Sequence, residues 1–169
     1  MRYLKINQPK EDFYSWIKDN ILKDIDTREQ VKKKFISWLY GGVNNKILDG
    51  CFDRNILYDY YDGCNIVNAF GKTIVCNNVK AVNYLISSSA AYMFYEQAFK
   101  IHKALENKKT KIRFLIHDDI VLDVCKSDKN LISDLIEIFK DTKFGIFPVQ
   151  IKIGKNFADM RKVLCYNKT

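Results

Sequence analysis

Residues 111–125 read KIRFLIHDDIVLDVC. Two apolar runs, KIRFLI and IVLDVC, flank the polar triplet His117-Asp118-Asp119. β-branched and aromatic residues favour extended backbone, and a short polar break between two such runs favours an antiparallel hairpin. The reading puts the acidic pair at the bend. Carboxylates carried past the ends of two strands suit a hard divalent cation such as Mg²⁺. An Asp-rich turn with no chemistry has the same composition, and the hairpin alone does not separate the two.

Helical periodicity surrounds this hairpin. Upstream, about Val79 to Leu105 is the longest helical pattern in the chain, with the small residues Ser87 to Ala91 at its middle. Downstream, Lys129 to Phe139 is amphipathic, with Leu131, Ile132, Leu135, Ile136 and Phe139 on one face. FGIFPVQIKIG then reads as the last strand. Further upstream, NIVNAF and TIVC read as two short strands around Gly71-Lys72. Residues 44–62 read as one or two short helices, closed by the Asp62-Gly63 turn signal. Residues 11–22 read as a helix after Pro9.

Thr27-Arg28-Glu29-Gln30 has the form of a capping box, so a helix is expected from Arg28 to the Gly41-Gly42 stop. Steps of four put Arg28, Lys32, Ile36 and Tyr40 on one stripe of that helix. Two cations followed by an apolar and an aromatic residue match the order of parts in a nucleoside triphosphate. A solvated basic face beside a buried Tyr has the same pattern.

The chain has 169 residues, 28 Lys and Arg against 20 Asp and Glu, and a formal charge of +8. That balance favours a polyanionic partner without specifying one. Five cysteines, with no CxxC pair, and two histidines argue against a disulfide framework and a Cys/His zinc site. No apolar run is long enough for a membrane span and the N-terminus lacks an apolar signal core, so a cytoplasmic protein without membrane contact is expected. The pattern as a whole predicts an α+β fold. Residues 1–62 are expected to be a helical lobe with Trp16, Trp38, Phe52 and Tyr58 in its packing. Residues 63–169 are expected to be an antiparallel sheet backed by helices.

RxxxKxxxxxxxYG, carried by Arg28, Lys32, Tyr40 and Gly41, resembles the nucleotide-binding O helix in the fingers of family A DNA polymerases, particularly phage ones. His117-Asp118-Asp119 resembles motif C of the same family, usually His-Asp-Glu. FGK with KAVNYLISSSAA resembles the family's FGR turn and following helix, and TKFGIFPVQIKIGKNFADM resembles its closing strand and tail. The four segments occur in the family's order and cover about Asp12 to Met160.

The resemblance implies a fingers lobe plus part of a palm, catalysing template-directed deoxynucleotidyl transfer with Mg²⁺. It implies that Arg28 and Lys32 grip the dNTP triphosphate and that Tyr40 lies near the templating base. Asp118 would hold metal with Asp119 beside it, and His117 would contact the primer end. Lys72, Lys80, Asn83 and Ser87 match positions that touch primer-template DNA. Ile36 replaces the family's aromatic, Ser87 its Gln, and Asp119 its Glu. The upstream aspartate strand, motif A, has no counterpart: Asp12, Asp19, Asp24 and Asp26 lie in helical or loop contexts. The resemblance therefore implies a second polypeptide supplying motif A, the thumb and any exonuclease. Two other functions fit the same motifs, a non-catalytic nucleic-acid-binding or scaffolding subunit and a fragment similar to single-subunit RNA polymerases.

Overall fold

The computed structural model describes residues 12–166, and side chains up to residue 163. Its secondary structure is a mixture of helices and small antiparallel sheets, an α+β fold. The chain divides into two compact units, Met1–Ala90 and Ala91–Thr169. The division falls inside the longest helix, whereas the two lobes expected from sequence met at residues 62 and 63.

In the first unit, helix α1 (Phe13–Asn20) and helix α2 (Arg28–Leu39) pack through aromatics. The expected capping box forms: Thr27 Oγ1 accepts from the Gln30 amide at 3.3 Å, and Gln30 Oε1 accepts from the Thr27 amide at 3.4 Å. Gly41, at φ +79°, provides the left-handed residue that ends the helix. Val31, Phe35 and Trp38 form the buried face of α2 and meet Ile17, Leu22, Leu48 and Phe52. Helix α3 (Lys46–Cys51) is tied to that core by Trp38 Nε1, which donates to Asp49 at 2.7 Å. Trp16 is half-buried beside the cluster, but Tyr58 is exposed, because the 3₁₀ turn Arg54–Tyr60 buries only Leu57.

Strands β1 (Asn65–Val67) and β2 (Thr73–Val75) pair antiparallel and pack Ile66 against Ala81, Val82 and Leu85 of helix α4 (Asn78–Ala104). Ser89 holds this hairpin to the helix, since its Oγ accepts from the Ala69 amide at 3.1 Å and donates to the Leu85 carbonyl at 2.6 Å. A bulkier residue at 89 would displace the turn, which explains the small residue at that position of α4.

The second unit is built from the C-terminal half of α4, strands β3 (Lys111–Ile116) and β4 (Asp119–Asp123), helix α5 (Ile132–Lys140) and two further hairpins. Ile101, Leu105 and Leu135 form its buried cluster. Thr110, only 1 % exposed, joins the start of β3 to the segment after β4: its amide donates to Asp128 at 2.7 Å and its Oγ1 accepts from the Cys125 amide at 3.1 Å. The helix expected over 129–139 begins as a 3₁₀ turn, Lys126–Leu131, and becomes α-helical at Ile132.

FGIFPVQIKIG is not one strand. Pro148, with no N–H to donate, separates β6 (Gly145–Ile146), paired with β5 (Asp141–Thr142), from β7 (Val149–Ile153). Nor is it last. β7 pairs with β8 (Arg161–Tyr166), a terminal strand whose Arg-Lys start hides its extended character in sequence. Among the described residues every sheet has two strands, so the single antiparallel sheet expected for 63–169 is a set of separate hairpins. Each of these ladders is made by strands adjacent in sequence.

Among the described residues, Cys51, Cys64, Cys76 and Cys125 are free thiols, and no helix is long and apolar enough to cross a membrane.

Candidate functional site

The first candidate group lies on α2. Arg28 begins the helix, Lys32 follows one turn later, Ile36 is half-buried, and Tyr40 is the C-cap residue. The stripe is flanked by the buried face of the helix, so Val31 and Phe35 fix its rotation. Tyr40 packs against the Leu57 and Ile66 cluster rather than standing free. Arg28 is already engaged: Nε and one terminal nitrogen each donate to a different oxygen of Asp12, both at 2.8 Å. Its charge also sits 5.4 Å from the centre of the Tyr14 ring, and Lys32 Nζ lies 5.9 Å from the same centre. The guanidinium holds the Asp12 carboxyl well below the ordinary carboxylate range. Neither Asp12 nor Tyr14 was among the candidates read from the sequence. A carboxylate at the start of one helix and a cation at the start of the next carry no pairing signal at 16 residues' separation.

The second group follows from the β1–β2 turn. Asn68 is 3 % exposed, and its Oδ1 accepts from the amides of Phe70 and Lys72 at 2.9 and 3.0 Å. Together with Gly71 at φ +72°, it sets the turn that presents the exposed Lys72 side chain. At the start of α4, the Asn77 side chain accepts from the Lys80 amide at 3.1 Å, a capping contact. Lys80, Asn83 and Ser87 are exposed at helical spacing of three and four. Ser87 Oγ donates to Asn83 Oδ1 at 2.8 Å, which engages the Asn83 oxygen and leaves its amide N–H groups available as donors. All four belong to the first unit. Asn68 and Ser89, which carry the turn, went unread because the sequence shows only an Asn three residues before a Gly and a Ser within a small-residue run.

The third group belongs to the second unit. Ile116 pairs with Asp119, so the β3–β4 loop is the dipeptide His117-Asp118 and Asp119 is the first residue of β4. This corrects the expectation that both aspartates lie in the bend. His117 takes φ +54°, a left-handed conformation at the first loop position, as a two-residue hairpin turn demands. All three residues are exposed. The side chains of Asp118 and Asp119 make no hydrogen bond or ion pair among the described residues, so both carboxylates keep their full acceptor capacity. Adjacent hard oxygen donors fit Mg²⁺. Among the described residues no group of three acidic, His or Cys side chains is gathered for a metal. A cavity of about 330 Å³ in the same unit, lined by His102, Leu105, Glu106, Asn107, Lys111 and Ile112, includes none of the three.

No protein-family model matches this chain, nor does any curated protein or solved structure.

Proposed function

We propose that this chain is the fingers and part of the palm of a DNA-directed DNA polymerase related to family A, active with a second polypeptide that supplies motif A and the thumb. The observation that carries the reading is the β3–β4 tip, where the carboxylate of Asp118 in the two-residue turn and that of Asp119 at the start of β4 are both exposed and unpaired. The Arg28 and Lys32 pair on α2, opened by a complete capping box, gives it independent support.

In this reading Asp118 is the metal ligand of the chain, with Asp119 beside it and His117 at the primer end. Bound Mg²⁺ supplies charge neutralisation at the reacting phosphate. Arg28 binds the triphosphate through a planar fork and Lys32 through a point charge. Tyr40, anchored in the core by its ring, lies at the templating base. Lys72, Lys80 and Asn83 supply two charges and an amide donor to primer-template, with Ser87 fixing the Asn83 orientation.

The test is magnesium-dependent primer extension by the complex recovered with this chain from its source, compared with the same complex carrying Asp118→Asn. Extension should fall roughly a thousandfold or more in the variant, and chelation of magnesium should abolish it. Full activity in the Asp118→Asn complex would end the catalytic reading and leave the non-catalytic subunit in its place.

A further inference from the structure

The cations of α2 do not await a ligand bare. The first turn of α1 offers them a carboxylate and an aromatic ring, the same two chemistries a nucleotide would bring. Asp12 binds Arg28 fork to fork, at 2.8 Å through both oxygens. The Tyr14 ring lies under both Arg28 and Lys32. Asp12 is also held from behind: its Oδ2 accepts from the Ser15 amide at 3.0 Å and the Ser15 hydroxyl at 3.1 Å, as the N-cap of α1. The carboxylate is therefore fixed by its own helix, whether or not Arg28 is there. Glu29 adds a weaker contact to Arg28 at 3.4 Å.

We propose that Asp12 is an internal stand-in for phosphate, occupying the fork of Arg28 and setting the charge an incoming polyphosphate must outcompete. This rests on the reading of Arg28 as a triphosphate ligand and names what regulates it. A guanidinium offers two carboxylate-shaped edges, one made by Nε and a terminal nitrogen and one by the two terminal nitrogens, and Asp12 fills the first. A phosphate approaching that edge meets a like charge until the pair opens. The pair is open to solvent on both sides, with side chains 40 % and 43 % exposed. Such pairs are weak enough to exchange. A ligand with several charges, gripping Lys32 as well, displaces Asp12 where a single carboxylate in solution does not.

Asp12→Asn removes the charge and keeps the cap, because Asn caps as well as Asp. Tripolyphosphate is the probe, titrated calorimetrically into the full chain, with Asp24→Asn as an exposed charge-matched control. Asp12→Asn should bind about two- to fivefold more tightly than wild type. Asp24→Asn should match wild type, and the gain from Asp12→Asn should vanish in an Arg28→Ala background. Unchanged or weaker binding by Asp12→Asn overturns the proposal; if Arg28→Ala still weakens binding, the assignment of Arg28 survives alone. Absence of saturable tripolyphosphate binding in both wild type and Asp12→Asn overturns the proposal and removes the Arg28 assignment with it.

Discussion

The two units spend their apolar residues differently. The first gathers Ile17, Leu22, Val31, Phe35, Trp38, Leu48 and Phe52 into one cluster and Leu57, Ile66, Ala81, Val82 and Leu85 into another. The second has a buried cluster of Ile101, Leu105 and Leu135, while Phe114, Leu115 and Ile116, consecutive on β3, remain 55 %, 43 % and 40 % exposed. Exposed apolar residues occur in the first unit too, Val75 and Val79 most of all, but there they are single positions. Consecutive residues on a strand face opposite sides, so the tip end of β3 is exposed on both, although Ile112 at its start packs on the cluster and the Phe114 ring meets Phe157 at 6.3 Å. A two-stranded hairpin is marginal without a third strand or a covering element. The first unit thus buries two apolar clusters, and the second leaves the tip of β3 exposed. In the proposed reading the polypeptide that brings motif A covers it.

Paired truncations put this contrast to the test. Trp38→Ala empties a fully buried site and should destabilise the first unit by about 3–5 kcal/mol in urea denaturation. Phe114→Ala, in the chain alone, should change stability by less than about 0.5 kcal/mol. A large loss from Phe114→Ala would mean that β3 is already covered, and the contrast would collapse. Thr27→Ala breaks the capping box and should cost about 1 kcal/mol, read from the same denaturation curve. A further small effect is the pH response of the Asp12 pair. Its carboxyl is depressed in the folded state, so the stabilisation is present above the unfolded pKa near 4 and fades as pH falls below it. Because the pair is exposed, the loss should stay under about 1 kcal/mol, and Asp12→Asn should flatten it.

How much of this was legible from sequence depended on range. The α2 capping box, its glycine stop, the β1–β2 and β3–β4 hairpins and the extent of α4 are all set within a few neighbouring residues. Those signals read correctly. The break at Pro148 was also local, but an apolar run on both sides masked it. The Asp12–Arg28 fork, the Ser89 hold on the turn and the Thr110 junction join residues 15 to 20 apart, and no periodic pattern announces them. The separation of the sheets was illegible for the same reason. Strand character is local, while the choice of neighbour beyond a hairpin belongs to packing.

The left-handed backbone at His117 has a consequence for how this protein can change over generations. Few side chains tolerate φ +54°, so short polar residues and glycine are the variants that position admits, whatever the hairpin does for a living. Asp118 bears no such restriction. A descendant relieved of chemistry would keep residue 117 within that narrow set to preserve its turn, yet let residue 118 drift. In the proposed reading, position 118 would record the activity, whereas position 117 would be held by geometry whether or not it still met a primer end.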